Sequence, residues 1–478
     1  MSAILETIWD GEWGGVADTK HSGIKGSFAD SVGIDGHSEP GKIKVHQALA
    51  KDSGATVDGF VMYAIACSNG YSFWFSADSG KIWARSVDGV WTLAHTTVPT
   101  TGEAKCLGAD EYNGYIVWAT QTAMHRIPVG DADDNWSAGA ITQNWNLFTV
   151  GNQNWHPMAQ QDLSLFVGDS NLIVKVNSSF ATDNAALDIN TPHTTKTLIP
   201  YDLDLLLGTF ISDRVAKAEI VRWDVVDNSW DTSDPVPEAG INAFIQDDNY
   251  VFVQAGHQGR IYFYNGEKLE PYKRIPGIYV DGASNTQSVH VHPGSVGTFL
   301  GRPVFGVSNK SKNAAKQGVY SLGSYSRDYT KVLSGVEWVI SQNKTEDIEI
   351  GAILEINQEL FVAWKDGANY GVDKIDWSNK YADAYVESRM LFEKQRSEAE
   401  TLGEVAALYT TLRTGGISFS YRVNHGDWTA LGGVNYTSIN GVKTTISVPE
   451  VGSLQLQMGF DVDGNSAPEV EKWEANLR

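Results

Sequence analysis

Ser76-x-Asp78-x-Gly80-x-x-Trp83, within residues 75–86, is the most specific spacing of polar side chains in this chain. In such a run the Ser and Asp oxygens bond backbone groups inside a hairpin turn. Gly takes a left-handed dihedral and Trp plugs between strands, so all four residues are expected to be structural. Two Arg-Ile-Pro triplets, at 126–128 and 274–276, place arginines where strands end. Cleaving a glycosidic bond would need two carboxylates set across a pocket, and with 58 acidic residues the sequence does not choose among them. His290 and His292 share one strand face, as a metal-binding pair can, but no third ligand is evident, and strand histidines are the expectation. The run 461–466, Asp-Val-Asp-Gly-Asn-Ser, looks like half a calcium loop. Lys472 stands where the closing Glu would be needed, so a hairpin turn is expected, with calcium as the alternative. The acidic run 131–136 reads the same way. No phosphate loop and no nucleophile elbow is present. The reading is therefore no catalytic residue, no metal and no cofactor.

The elements that must position these residues are strands. From residue 55 onward, short apolar-aromatic segments alternate with turns such as Asn69-Gly70, Asn113-Gly114 and Ser79-Gly80. A phrase recurs every 40–50 residues: a short strand, a polar turn, then an apolar strand that ends small. Examples begin near residues 110, 247 and 355. Seven such units fit between 60 and 375, the pattern of a β-propeller, with six or eight as alternatives. The repeat stops near residue 383. Beyond it Ile417, Phe419, Tyr421 and Val423 alternate with polar residues, as do Leu454, Leu456, Met458 and Phe460. That pattern predicts a small β-sandwich of jelly-roll or immunoglobulin-like type over 383–478, with a helix over 396–412 as an alternative. Trp428 and Tyr436 are its candidate contact aromatics. Residues 1–54, rich in turn residues and weakly periodic, read as an arm outside the closed core. The expected division is thus 1–54 arm, 55–382 propeller and 383–478 sandwich, all-β throughout.

Net charge is −22, which argues against a nucleic-acid partner because phosphate binding needs a basic face. No window is apolar enough for a membrane span, and the first residues lack the basic start of a secretory leader. Two cysteines, Cys67 and Cys106, read as free buried thiols rather than a disulfide framework.

The spacing at Ser76–Trp83 resembles the Asp box of sialidases and related propellers. That resemblance implies an Arg-Ile-Pro ahead of the first box, three arginines, an acid and a Tyr–Glu pair. Both triplets here fall after the box, and no second box is evident, so sialidase roles are not carried onto Arg126 or Arg274. A broader resemblance rests on the turn at 37–41, His-Ser-Glu-Pro-Gly, the strand at 44–49 and the turn at 51–54. With the aromatic blade around 73–83 and the 417–460 pattern, these are similar to uncharacterised proteins of tailed-phage genomes, many of them metagenomic. The resemblance implies a non-enzymatic virion protein, associated with the tail or adsorption apparatus and assembled in the host cytoplasm. It also implies virion proteins as partners, homo-oligomerisation in the particle, and contact with a host-surface glycan as a possible further role. The alternative is a glycan-binding or glycan-cleaving propeller.

Overall fold

The structure is a computed structural model. It describes residues 4–15, 17, 27–98, 104–151, 153–211, 217–247, 250–275, 289–309, 318–324, 331–342, 348–391, 402–409, 415–424, 426–431, 441–444 and 453–477.

Tight turns set the strand length. Asn113 and Gly114 sit at φ 47° and 77°, the left-handed pair that a two-residue hairpin needs. Repeated along the chain, such hairpins give antiparallel four-stranded sheets in chain order over residues 61–96, 108–147, 158–188, 194–235 and 241–274. These are blades 1 to 5. Blade 6 comprises Val296–Phe299, Arg302–Asn309, Gly318–Ser324 and Lys331–Val339. Blade 7 takes Ile348–Ile356, Glu359–Asp366 and Asn369–Lys380, and its fourth strand is Gln47–Lys51 from the other end of the chain. The first strands touch in order around the ring, and Ile348–Ile356 meets Val61–Ala66 to close it. The expected β-propeller of seven blades is the observed fold.

Each sheet is buried on both faces, so its middle strands carry apolar residues continuously. Ile116 and Trp118 pack toward blade 1, whereas Val117 and Ala119 pack toward blade 3. Leu360 and Val362 face blade 6, and Phe361 and Ala363 face blade 1. Every blade-to-blade seam has such a cluster, and together these seams are the ring's core. The small residue that ends the recurring phrase has a steric cause. It lies where the next blade's first strand crosses. A Cβ on Gly208 would come within 2.8 Å of Ile241 Cγ2, and one on Gly306 within 2.2 Å of Ile350 Cγ2.

Residues 1–54 are not a free arm. Gln47–Lys51 is the outer strand of blade 7, with Leu49 buried in the seam between blades 6 and 7. Asp30–Val32 pairs with Lys331–Val339 of blade 6 on one side and with Tyr385–Glu387 on the other. Ile4–Trp9 pairs with Val470–Leu477. The reading failed because these strands are short, and in Asp30–Val32 the buried polar residues Asp30 and Ser31 hide the period-two pattern.

Beyond blade 7, one sheet runs in the order Ile4–Trp9, Val470–Leu477, Leu402–Tyr409, Gly441–Thr444. A second set, Thr429–Leu431, Gly416–Val423, Leu454–Asp461 and Tyr385–Glu387, continues through Asp30–Val32 into blade 6. Both contribute to one core: Trp9, Val405, Ala407 and Trp473 from the first, Ile417, Phe419, Leu456 and Met458 from the second. Leu402–Tyr409 is a strand, which removes the helical alternative there. A cut at 383 would sever paired strands, and the charged stretch 392–401 lies outside the described residues.

Candidate functional site

The Ser76 turn joins the second and third strands of blade 1. Ser76 Oγ donates to Asp78 Oδ1 at 2.8 Å and accepts from the Ser79 amide at 3.1 Å. Asp78 Oδ1 also accepts the Phe60 amide at 2.8 Å, tying the turn to the chain entering the blade. Gly59 leaves room for this, since a Cβ there would stand 2.5 Å from both Ser76 Oγ and Ser79 Oγ. Trp83 is buried in the seam between blades 7 and 1. Gly80 sits at φ +63°, and a Cβ would come 2.9 Å from the Ala104 carbonyl carbon. Gly80→Val should therefore cost more than about 1 kcal/mol, read as a lower melting temperature; an unchanged value contradicts this account of the turn.

The remaining candidates do not converge. Arg126 lies on the third strand of blade 2, its guanidinium 4.2 Å from the Phe180 ring centroid and also over Tyr115 and Trp145. Arg274, on the fourth strand of blade 5, bonds the Gln258 carbonyl at 2.9 Å. Neither is on a first strand. His292 Nε2 lies 3.1 Å from Glu349 Oε2, and the side chain of His290 is outside the described set. At 461–466, Asp463 and Ser466 exchange backbone bonds around Gly464 at φ +56°, a tight hairpin turn. No group of three metal-ligating side chains occurs among the described residues. Cys67 and Cys106 are free and buried, and burial pushes the Cys106 thiol up to about 12. Trp428 is half-buried outside the core, with Arg422 stacked 4.4 Å over its ring, and Tyr436 lies outside the described residues.

The feature that sequence reading missed is the axial mouth, the end of the ring where the first strands begin. Shifts in register at Val61/Tyr63, Thr195/Thr197 and Ile241/Ala243 leave Met62, Lys196 and Asn242 as extra residues in their strands. Such bulges re-aim a side chain out of the pleat. Met62 joins Phe60, Ala77 and Leu107 in one buried cluster, and Trp155 packs against it. Lys196 Nζ lies 4.8 Å from the Trp155 ring centroid and 5.8 Å from that of Phe210. It donates to Asn242 Oδ1 at 2.7 Å, and Asn242 donates on to the Gly256 carbonyl at 2.7 Å. Burial pushes the Lys196 ammonium down to about 7. Across the mouth, the His292 ring packs on Phe60 at 5.2 Å and bonds Glu349. Chemically, among the described residues, this is an apolar cluster beside a lysine capped by an amide and an acid paired with a histidine, with Lys365 Nζ 5.7 Å over the Phe60 ring and Asp78 on the Phe60 amide. A bulge is invisible in a strand's alternation, so only the odd Lys in the threonine-rich strand Thr194–Tyr201 could have marked it.

A second buried polar cluster pins the turn at 37–41. Glu337, on the fourth strand of blade 6, is 1% exposed. Arg302 Nη1 lies 3.3 Å from its Oε1, and His46 Nε2 lies 3.7 Å from its Oε2. His37 Nε2 stands 4.0 Å from Glu337 Oε1 and 2.7 Å from Ser334 Oγ. Burial alone would raise the Glu337 carboxyl, but Arg302, His46 and His37 together hold it down to about 2. Burial lowers His37 to about 4. The same imidazole nitrogen faces both Ser334 and Glu337, so the three do not form a nucleophile relay, in which opposite ring nitrogens are used.

No protein-family model and no curated protein matches the chain. Among solved structures, it is similar to the extracellular domain of a one component system from B. thetaiotaomicron. That match has 14% identity and a TM-score of 0.47, and covers 81% of this chain but 45% of the other. The WD40 repeats of RRP9 match at 11% identity and TM-score 0.49, covering 69% of this chain and 98% of theirs. A streptogramin B lyase matches at 10% identity and TM-score 0.44, covering 69% of this chain and 97% of its own.

Proposed function

We propose that the chain is a non-enzymatic structural protein of a tailed-phage particle, associated with the tail or adsorption apparatus. In this reading the ring is a rigid body for contacts with other virion proteins and with copies of itself. The observation that carries the non-enzymatic half is the axial mouth. Among the described residues it is packed with Phe60, Met62, Leu107 and Trp155, while Lys196 bonds Asn242 and His292 bonds Glu349. Two carboxylates facing a water-filled gap would be the arrangement for glycoside hydrolysis. The resemblance of residues 37–54 supports the virion half, and those residues pair with the ring through Gln47–Lys51 and with the C-terminal sheets through Ile43 and Val470.

The glycan-binding alternative draws on Trp428, whose half-exposed ring backed by Arg422 is a stacking platform for a sugar. Incubation with sialosides and a panel of other glycosides should give no turnover. Release of any monosaccharide that Lys196→Met or Glu349→Gln abolishes would overturn the non-enzymatic reading.

A further inference from the structure

Among the described residues, the face opposite the axial mouth carries more of the exposed large apolar side chains than the mouth end, where Val98, Leu147 and Val150 stand. In up-and-down sheets, the turns joining first to second and third to fourth strands all fall at that far end. Large exposed apolar side chains gather there. Leu163 is 88% exposed, Leu203 78%, Leu300 54% and Tyr250 40%, at or beside the first hairpin of four consecutive blades, and Val226 joins them from a third-to-fourth turn.

These tips are conformationally costly as well as wet. Leu163 sits at φ +59° and Leu300 at φ +48°, the left-handed region where glycine or asparagine is preferred. Neighbouring blades with the same turn use Asn113-Gly114 and Asn357 there. The tips are also held rigidly. Tyr112 of blade 2 donates to the Leu163 carbonyl at 2.7 Å, and Gln161 of blade 3 donates to the Asp202 carbonyl at 3.1 Å. Gln246 of blade 5 reaches the Pro200 carbonyl at 3.2 Å, and Glu355 of blade 7 accepts the Leu300 amide at 3.2 Å.

Around the apolar tips the exposed turn charges are mostly acidic. Asp131, Asp133, Asp134, Asp162, Asp202 and Asp227 are exposed in these turns. Lys268 is the only lysine or arginine in the described residues of those turns, and it is paired with Glu270.

We propose that this face docks a protein partner that presents lysine or arginine side chains around an apolar centre. The leucine tips supply the desolvated middle, and the aspartates supply the complementary rim. The partner is a different protein, since a copy of this chain meeting the same face would oppose acid to acid. The inference is independent of the non-enzymatic reading, and a glycosidase could dock through the same face.

Random displayed peptides, selected on the immobilised full chain, test this. The chain carrying Leu163→Gly, Leu203→Gly and Leu300→Asn serves as the subtraction target. Selected sequences should be enriched in Lys and Arg beside a Leu, Ile, Phe or Met. Raising salt from about 50 to about 500 mM should weaken them at least about tenfold. The triple variant should lose binding while melting no lower than the natural chain, because Gly and Asn relieve the left-handed backbone at 163 and 300. Asp133→Asn with Asp134→Asn, a fold-neutral change, should weaken binding without removing the apolar tips. Peptides without basic enrichment, peptides that bind the triple variant equally, or a concentration-dependent self-association that the triple variant abolishes would each overturn the proposal.

Discussion

Removing residues 1–54 should abolish the cooperative melting of the whole chain. The deletion strips blade 7 of its outer strand, Gln47–Lys51, and exposes the edge strand Asn369–Lys380. It also removes Asp30–Val32, the strand that carries the sheet from blade 6 into Tyr385–Glu387. Finally it takes Trp9, Trp13, Phe28, Ile34, Ile43 and Val45 out of the core shared by the C-terminal sheets. An open ring leaves unpaired backbone groups at a sheet edge, and nothing nearby replaces them. A graded version is Leu49→Ala, at a residue 5% exposed in the seam between blades 6 and 7. It should cost about 2–5 kcal/mol, as large-to-small core changes do. Calorimetry decides: a truncated chain that melts as sharply as the full one would mean that residues 1–54 are an arm after all.

The second large effect is at Glu337. Its carboxylate is buried against Arg302, His46 and His37, and Glu337→Ala leaves the Arg302 guanidinium half-buried without its anion. Breaking a buried pair from one side costs about 3–5 kcal/mol. The same cluster sets a pH dependence. The ordinary imidazole value is near 6.5, and His37 in the folded chain takes its proton only near 4. Between those values the unfolded chain binds the extra proton, so acid favours unfolding, by about 3 kcal/mol in full. Glu337 ordinarily titrates near 4.5 and is held to about 2 in the folded chain. Its contribution is present above pH 4.5 and drains away as pH falls toward 2, in the same direction. Asp35, beside His37 and His46, is also held low, so no acid in the cluster offsets the loss. This cluster should therefore lose stability from about pH 6.5 downward, and His37→Gln should flatten the upper part of that loss, while the buried Asp110 carboxyl, raised to about 6, acts the other way in both chains. Denaturant titration of the natural and His37→Gln chains at stepped pH measures this, and a stability difference between them that does not change from pH 7 to pH 4.5 would refute the assignment.

The ring was legible because its residues must face two seams at once. Segments such as Ser164–Asp169 and Asp204–Phe210 are almost wholly buried, and their turns carry Asn-Gly or Asp-x at fixed spacing. The Ser76 turn was legible because the bonds of Ser76 itself are local, within four residues of sequence. The alternation at 454–460 was legible because one face meets a single core. What the sequence hid depends on partners far along the chain. Gln47–Lys51 finds blade 7 more than 300 residues later, and neither segment encodes the other. His37, His46, Arg302 and Glu337 look like scattered surface charges until the chain folds. Lys196 sits in the mouth only because a bulge turns it there.

The account rests most heavily on the chain being a built component of a particle with no catalytic task. Electron cryomicroscopy of purified tailed particles whose genome encodes this chain tests that most directly. The account predicts density for the seven-bladed ring with its C-terminal sheets, in symmetric copies, at a fixed place on the tail or adsorption apparatus. Particles complete and infectious without that density, with the chain found only free in the lysed host, would contradict it.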